Sequence, residues 1–347
     1  MTADAPVRLG MVGIGRAIWG MHCPELEGRT DKFLVVAACD MIEDRRAKMA
    51  ERYNCATYER VEDLVEDPNV EIVDIATRSI DHFQHAKLAL EAGKDVLVEK
   101  PMCVSYDEAS MLFGIATLCG KRVFVRHNRR FEPAFQHIRE IIDSGLLGEV
   151  YEIKLRRVGF QRRDDWQTLK SSGGGQLLNW GPHIIDHALR LLGAPLKSQW
   201  SDLKCTAALG DAEDHLKIIL RGENGRVVDM EISGGASIGE PEYLVWGTRG
   251  ALSCSGNTMK MKYLNPDVPL QDRSADPGTP GTTFGTKEEL QWVEEEIPAA
   301  PKLAVNMSTI WDELYRTYRE GAAFPITSEE CLGVMRVVST AKEGTAF

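Results

Sequence analysis

The first 126 residues alternate short apolar runs with amphipathic stretches, and few architectures satisfy that pattern. The runs Val7–Val12, Phe33–Cys39, Ile72–Ala76, Val96–Val98 and Val123–Val125 are each bounded by glycine or polar residues. Short and predominantly apolar, they read as parallel strands buried on both faces. Helical patterns over Asp44–Tyr53, His82–Ala92 and Tyr106–Cys119 separate them. The last opens with Ser105-x-x-Glu108, the signature of a capping box. Successive βαβ units of this kind predict a right-handed, doubly wound parallel sheet.

Beyond residue 127 the pattern changes. An amphipathic helix over Ala134–Ser144 precedes a long strand, Glu149–Val158, and then a glycine-rich segment running into a helix, Ser171–Leu192. Strands then follow strands: Leu216–Leu220 and Val227–Ile232 flank the turn signal Glu223-Asn224-Gly225, and Tyr243–Trp246 and Ala251–Ser253 continue the series. Asn265–Gly285, rich in Pro, Gly, Asp and Thr, reads as a loop or flap, and helices Met307–Glu320 and Glu329–Lys342 close the chain. The expected fold class is α/β, with a parallel-sheet domain over residues 1–127. A second, α+β domain over 128–347 is built on a mostly antiparallel open sheet. A chain of 347 residues is long for one core, which favours two domains. The strand-rich stretch Leu216–Ser253 exceeds what one or two helices cover, so one sheet face is expected to meet a partner subunit in a homodimer or homotetramer.

The net charge of −11 carries no compensating Lys/Arg block, which argues against a nucleic-acid partner. The pairs Arg129-Arg130 and Arg162-Arg163 suit a small anionic or hydroxylated ligand instead. No run approaches a membrane span and Met1–Val7 lacks a leader pattern, so a cytoplasmic protein with no membrane partner is expected. The eight cysteines are scattered without a CxxC, as buried free thiols would be. His82-x-x-His85 has no further ligand at a convincing spacing, and no metal site is expected.

Three motifs carry chemistry. Gly13-Ile14-Gly15 follows the first strand and opens a helix, the context of a dinucleotide-phosphate turn. Ile18 stands where such a motif has its third glycine, so on the glycines alone a plain strand–turn–helix junction fits equally well. Asp40 ends the second strand, where an acid grips the adenosine ribose hydroxyls. Set beside a 2′-phosphate at ~4 Å and an effective dielectric near 20, one such charge pair costs about 4 kcal/mol. Met41 offers no compensating cation, whereas Arg45 and Arg46 could fold back from the helix, so NAD is favoured over NADP; an aspartate capping that helix would read the same way. Asp95-Val-Leu-Val-Glu-Lys-Pro101 then delivers Lys100 to the carboxyl end of a buried strand, where α/β sheets place their ligands. Finally, Gly173 to Asp186 combines three glycines with Asn179 and His183, which share a face if helix has begun by Asn179. Pro182 restricts how far upstream that helix extends. Between the domains, Phe160 to Trp166 reads either as a polyol-binding loop, through Arg163 and Trp166, or as a solvated loop with an anchoring tryptophan.

These blocks, with Ile75-Ala76-Thr77, His82, Ala89 to Lys94 and Asn128-Arg129-Arg130-Phe131, closely resemble the glucose–fructose oxidoreductase, inositol dehydrogenase and MocA family. The resemblance spans most of the chain. It implies a Rossmann domain followed by an α+β domain, and NAD(P)-linked chemistry at a carbinol carbon of sugars, inositols or related polyols. It further implies that Lys100 and His183 lie beside the nicotinamide, with Asn179 where many members carry aspartate. The cofactor-binding set it suggests is Gly13, Ile14, Gly15, Arg16, Asp40, Met41, Ala76, Thr77, His82, Glu99, Lys100 and Asn128. The substrate-binding set is Lys100, Arg129, Arg163, Trp166, Asn179 and His183. His183 is the expected general base and Lys100 the donor to the developing alkoxide. Two rivals stay open: a glycoside-processing enzyme that oxidises transiently and recycles its NAD, and a catalytically silent sugar-binding homologue.

Overall fold

The computed structural model describes residues 5–278, 281–282, 285, 287–300 and 305–347. The start of the Met1–Val7 segment and parts of the expected 265–285 loop fall outside these. The loop's described residues carry neither helix nor strand.

Six parallel strands form the first sheet: β1 (Val7–Val12), β2 (Phe33–Cys39), β3 (Ala56–Tyr58), β4 (Ile72–Ile75), β5 (Asp95–Val98) and β6 (Val123–Val125). Their order is β3-β2-β1-β4-β5-β6, so chain direction across the sheet reverses between β1 and β4. Ligands of doubly wound sheets bind at that switch point, outside the carboxyl ends. β4 and β5 are buried at every position, Asp74 and Asp95 included. Helices α1 (Cys23–Leu26), α2 (Glu43–Tyr53), α3 (Val61–Val65), α4 (His82–Glu91) and α5 (Tyr106–Cys119) link the strands. A π-helical turn, Ile18–His22, leads into α1 and buries His22 completely. At the start of α5, Ser105 Oγ accepts the Glu108 N–H at 3.2 Å, but the Glu108 carboxylate turns to the Val104 N–H at 3.1 Å. Only half of the expected capping box forms.

After α6 (Pro133–Asp143), β7 (Val150–Val158), α7 (Gln176–Asn179) and α8 (Gly181–Leu192), the second sheet is completed by β8 (Leu196–Lys204), β9 (His215–Gly222), β10 (Val227–Ser233), β11 (Tyr243–Gly247), β12 (Gly250–Ser255), β13 (Thr258–Leu264) and β14 (Trp292–Pro298). The order is β14-β13-β12-β11-β7-β10-β9-β8, and only the β7–β10 pair is parallel. On the inner face Ile153, Leu155, Leu216, Ile218, Leu220, Val228, Met230 and Ile232 are buried, and α8 packs there. The alternate positions, among them Lys154, Ile219, Asp229, Glu231 and Trp246, point away. β8, β13 and β14 were not expected from the sequence; β14 (Trp-Val-Glu-Glu-Glu-Ile-Pro) is too acidic to read as an apolar run.

The last two helices, α9 (Thr309–Arg319) and α10 (Ser328–Lys342), return to earlier parts of the chain. α9 packs against β1, with Trp311 fully buried edge-on to Phe33 and to His22. α10 packs on both α5 and α8. Its N-terminus forms a complete capping box between Thr327 and Glu330.

Candidate active site

Sheet order alone gathers the carboxyl ends of β1, β4, β5 and β6 along one edge. Gly13, Ala76, Lys100 and Asn128 follow those four strands, so residues scattered over 115 positions meet around one crevice.

Gly13 adopts φ +85°, and a Cβ there would lie 2.8 Å from Thr77. At Gly15 a Cβ would meet nothing within 4 Å, so the turn stays open at the helix start, as a pyrophosphate approaching helical N–H groups needs. Ile18, in the third-glycine position, is fully buried and packs rather than contacts ligand. Arg16 is exposed on the first turn.

Asp40 is buried and heavily engaged. Oδ2 accepts the Ile14 N–H at 2.8 Å and Oδ1 the Ile42 N–H at 2.9 Å. Arg45 does fold back, 3.3 Å from Oδ2, and Arg46 donates to the Asp40 carbonyl at 2.7 Å. Met41 is 82 % exposed. The acid thus ties the phosphate turn to β2, and its charge is shared with a guanidinium.

Two residues expected to contact cofactor are turned inward. His82 is buried, with Nδ1 2.7 Å from the Pro101 carbonyl and Nε2 3.2 Å from that of Thr77. It ties the loop after β4 to the turn after β5. The Glu99 carboxylate, 6 % exposed, meets His22, Arg126 and the Lys100 N–H. Three internal donors thus hold it in place.

Lys100 emerges beside this cluster and donates from Nζ to the Asn179 carbonyl at 3.0 Å. Burial, and the guanidiniums of Arg16, Arg129 and Arg126, lower its pKa against the pull of Glu99. A cleft of about 220 Å³ opens here, lined by Lys100, Pro101, Trp166, Gln167, Leu178 and Asn179, with Gly173–Gly175 along one wall. Bulk is excluded from that wall: a Cβ on Gly174 would lie 2.6 Å from the Gln167 carbonyl, and one on Gly175 2.3 Å from the Glu213 carboxylate.

Helix has begun by Asn179, which ends the short helix α7; Trp180 follows in the α region and α8 begins at Gly181 with Pro182 in its first turn. The Asn179 side-chain oxygen faces Gln167 Nε2 at 3.4 Å, and Gln167 is in turn held by Arg163. Arg163 also makes two bonds to Asp165, at 2.9 and 2.8 Å, so it buttresses the loop while Trp166 lines the cleft. Gln167 carried no sequence signal beyond its place beside Trp166.

His183 is buried, and its Nδ1 has no hydrogen-bond partner. Burial, with Lys100 and Arg129 nearby, holds its pKa well below the ordinary histidine value. Trp180 stands edge-on to it at 5.9 Å, and the guanidiniums of Arg129 and Arg157 lie over the Trp180 ring at 4.4 and 4.1 Å. Asn128 is buried beside them. Arg130, expected with Arg129 to suit an anionic ligand, is consumed in buried ion pairs with Asp186 and Glu330.

A switch-point crevice with a glycine phosphate turn and a buried lysine defines a nucleotide-dependent oxidoreductase. The sequence profile described as "Oxidoreductase family, NAD-binding Rossmann fold" matches residues 7–127, and that of the "GFO/IDH/MocA C-terminal domain" matches 135–253. The chain belongs to the Gfo/Idh/MocA family of NAD-binding oxidoreductases. It is 31% identical to an uncharacterized oxidoreductase of Schizosaccharomyces pombe, over 77% of this chain and 75% of that one. It is 26% identical to the scyllo-inositol 2-dehydrogenase (NADP(+)) IolW of Bacillus subtilis, over 82% and 79%. An NAD-binding protein from Listeria innocua superposes with a TM-score of 0.82 at 25% identity, covering 98% of this chain and 97% of that one.

Proposed function

We propose that the protein transfers hydride between NAD and a carbinol carbon of a sugar, inositol or related polyol. The observation that carries this reading is the Lys100 ammonium at the switch-point edge, opening into a cleft walled by Trp166, Asn179 and the glycine run. Bound NAD would be held by the Gly13–Gly15 turn and the Asp40 end of β2, and supplies a hydride acceptor.

Lys100 donates a hydrogen bond to the reacting oxygen, exchanging the Asn179 carbonyl for it, and stabilises the charge that develops there. His183, neutral because its pKa is depressed, takes the hydroxyl proton on a ring nitrogen; its unpartnered Nδ1 is the kind of buried polar atom a ligand hydroxyl satisfies. Trp166 offers an apolar face to the ring, while the Gln167–Asn179 pair reads a hydroxyl. The similarity to a scyllo-inositol dehydrogenase supports a polyol substrate.

A panel of inositols, hexoses, sugar acids and glycosides, followed by NADH absorbance with product analysis, tests this. NADH formation with a keto product is expected. Cleavage of a glycoside without net NADH would replace the reading with a recycling mechanism.

A further inference from the structure

Behind the cleft lies a fully enclosed chain of charges that the proposed chemistry does not use directly. His22 is 0 % exposed, as are Asp74 and Arg126. Its Nδ1 lies 2.7 Å from Asp74 Oδ2, and its Nε2 lies 3.0 Å from Glu99 Oε1. A neutral imidazole donates from one nitrogen only, and its other lone pair would then face a carboxylate oxygen. With both carboxylates ionised, each is satisfied only when both nitrogens carry a proton. Burial and Arg126 oppose the charged ring, but Asp74 and Glu99 outweigh them and hold its pKa above the ordinary value.

Glu99 distributes that charge. Its Oε1 also accepts Arg126 Nη1 at 2.8 Å, and its Oε2 accepts the Lys100 backbone N–H at 3.1 Å. Arg126 continues to Glu25, which takes the Trp311 indole N–H at 2.8 Å. Five segments contribute: Asp74 from β4, Glu99 and Arg126 from the residues directly after β5 and β6, Glu25 from α1 and Trp311 from α9. Lys100 itself faces Glu99, Arg126, Arg16, Arg129, His127 and His183.

We propose that His22 is a positioning residue for Lys100: a buried imidazolium that, with Arg126, neutralises Glu99 beside the Lys100 ammonium. Coulomb terms add, so in a low-dielectric interior the positive fields of His22 and Arg126 offset the pull of the Glu99 carboxylate on a third cation. The lysine proton is thereby set by a side chain 78 positions upstream, one that never touches a ligand. Its catalytic meaning rests on Lys100 acting at the reacting oxygen, as proposed above, but its test does not.

Two measurements on the protein without substrate decide it. Nitrogen-15 NMR of the wild-type histidines should show the His22 ring keeping both protons above the ordinary histidine value. A ring that loses a proton at or below that value overturns the proposal. Competitive acetylation of Lys100 with acetic anhydride, followed by mass spectrometry against pH, reads the lysine directly. In His22→Gln, which removes one buried positive charge, the labelling midpoint should move to higher pH; in His22→Gln/Asp74→Asn, which removes one charge of each sign, it should move less. An unmoved midpoint in His22→Gln that retains the native circular dichroism spectrum, or an equal shift in both variants, overturns the coupling. Failure of the polyol reading would appear only in the turnover assay and leave both titrations intact.

Discussion

At the scale of single residues, the sequence singled out Lys100 and His183 but not the side chains that surround them. Lys100 and His183 were legible because a strand end and a glycine-flanked helix start are local features. That Asn179 would turn to Gln167, and that Glu99 and His82 would face inward, depends on atoms supplied by distant segments. Lys100→Met should lower turnover about 10²–10³-fold, as loss of one donor to a developing oxyanion does. NAD affinity by calorimetry should persist, because the Gly13–Gly15 turn is untouched; unchanged turnover would remove the lysine from the chemistry. Asp40→Asn should raise NADP affinity relative to NAD by removing the acid opposite a 2′-phosphate. The gain should fall short of the bare ion-pair figure of about 4 kcal/mol, because Arg45 already shares that charge. A native protein that binds NADP more tightly than NAD would show that Arg45 and Arg46, rather than Asp40, dominate there.

Among the secondary-structure elements, apolar runs gave the buried strands to within a residue or two. β1, β2 and β6 have the bounds their sequence patterns suggest, because strands covered on both faces are predominantly apolar. β8, β13 and β14 escaped for the complementary reason: one face is open, so their polarity follows neighbours rather than a run. The break between α7 and α8 was half legible, since Pro182 forbids continuous helix yet does not say where the asparagine then points. Gly13→Ala tests the phosphate turn as a unit. The added methyl would lie 2.8 to 2.9 Å from Thr77, two of those contacts being backbone, at a φ of +85° that only glycine holds without strain. A stability loss of about 1–3 kcal/mol in urea unfolding is expected, with NAD binding abolished. A variant that binds NAD normally would mean the turn is not the phosphate site.

For the whole molecule, burial of ionisable groups predicts how stability responds to acid. His127, His82, His183 and His187 are all buried with pKa values below the ordinary 6.5; for His127 burial, partly offset by Asp186, gives about 4. The unfolded chain takes up these protons as pH falls below 6.5, while the native state refuses them. Stability is therefore full above that value and declines toward pH 4, by about 3 kcal/mol for His127 alone. His22, whose pKa is raised, works the other way and offsets part of the loss. Urea midpoints at pH 7 and pH 5 measure the balance, and a midpoint that does not fall at pH 5 would contradict it. The outer face of the second sheet carries Trp200, Trp246 and Trp292, at 54, 36 and 45 % exposure, among paired charges. We expect it to meet a second copy of the chain; light scattering at micromolar concentration should give a dimer or tetramer mass, and Trp246→Glu should lower it. Among the described residues no helix is long and apolar enough to cross a membrane. The sequence by itself determined the layered βαβ architecture, the glycine turn after β1 and the delivery of Lys100 to the carboxyl end of β5, because hydrophobic period and turn chemistry are local properties. Only the tertiary structure decided that α9 would seal β1 with Trp311, that His22 would bridge Asp74 and Glu99, and that Asn179 would face Gln167. Those contacts join residues 52 to 289 positions apart or turn on side-chain direction, and such pairings exist only once close packing has fixed every neighbour.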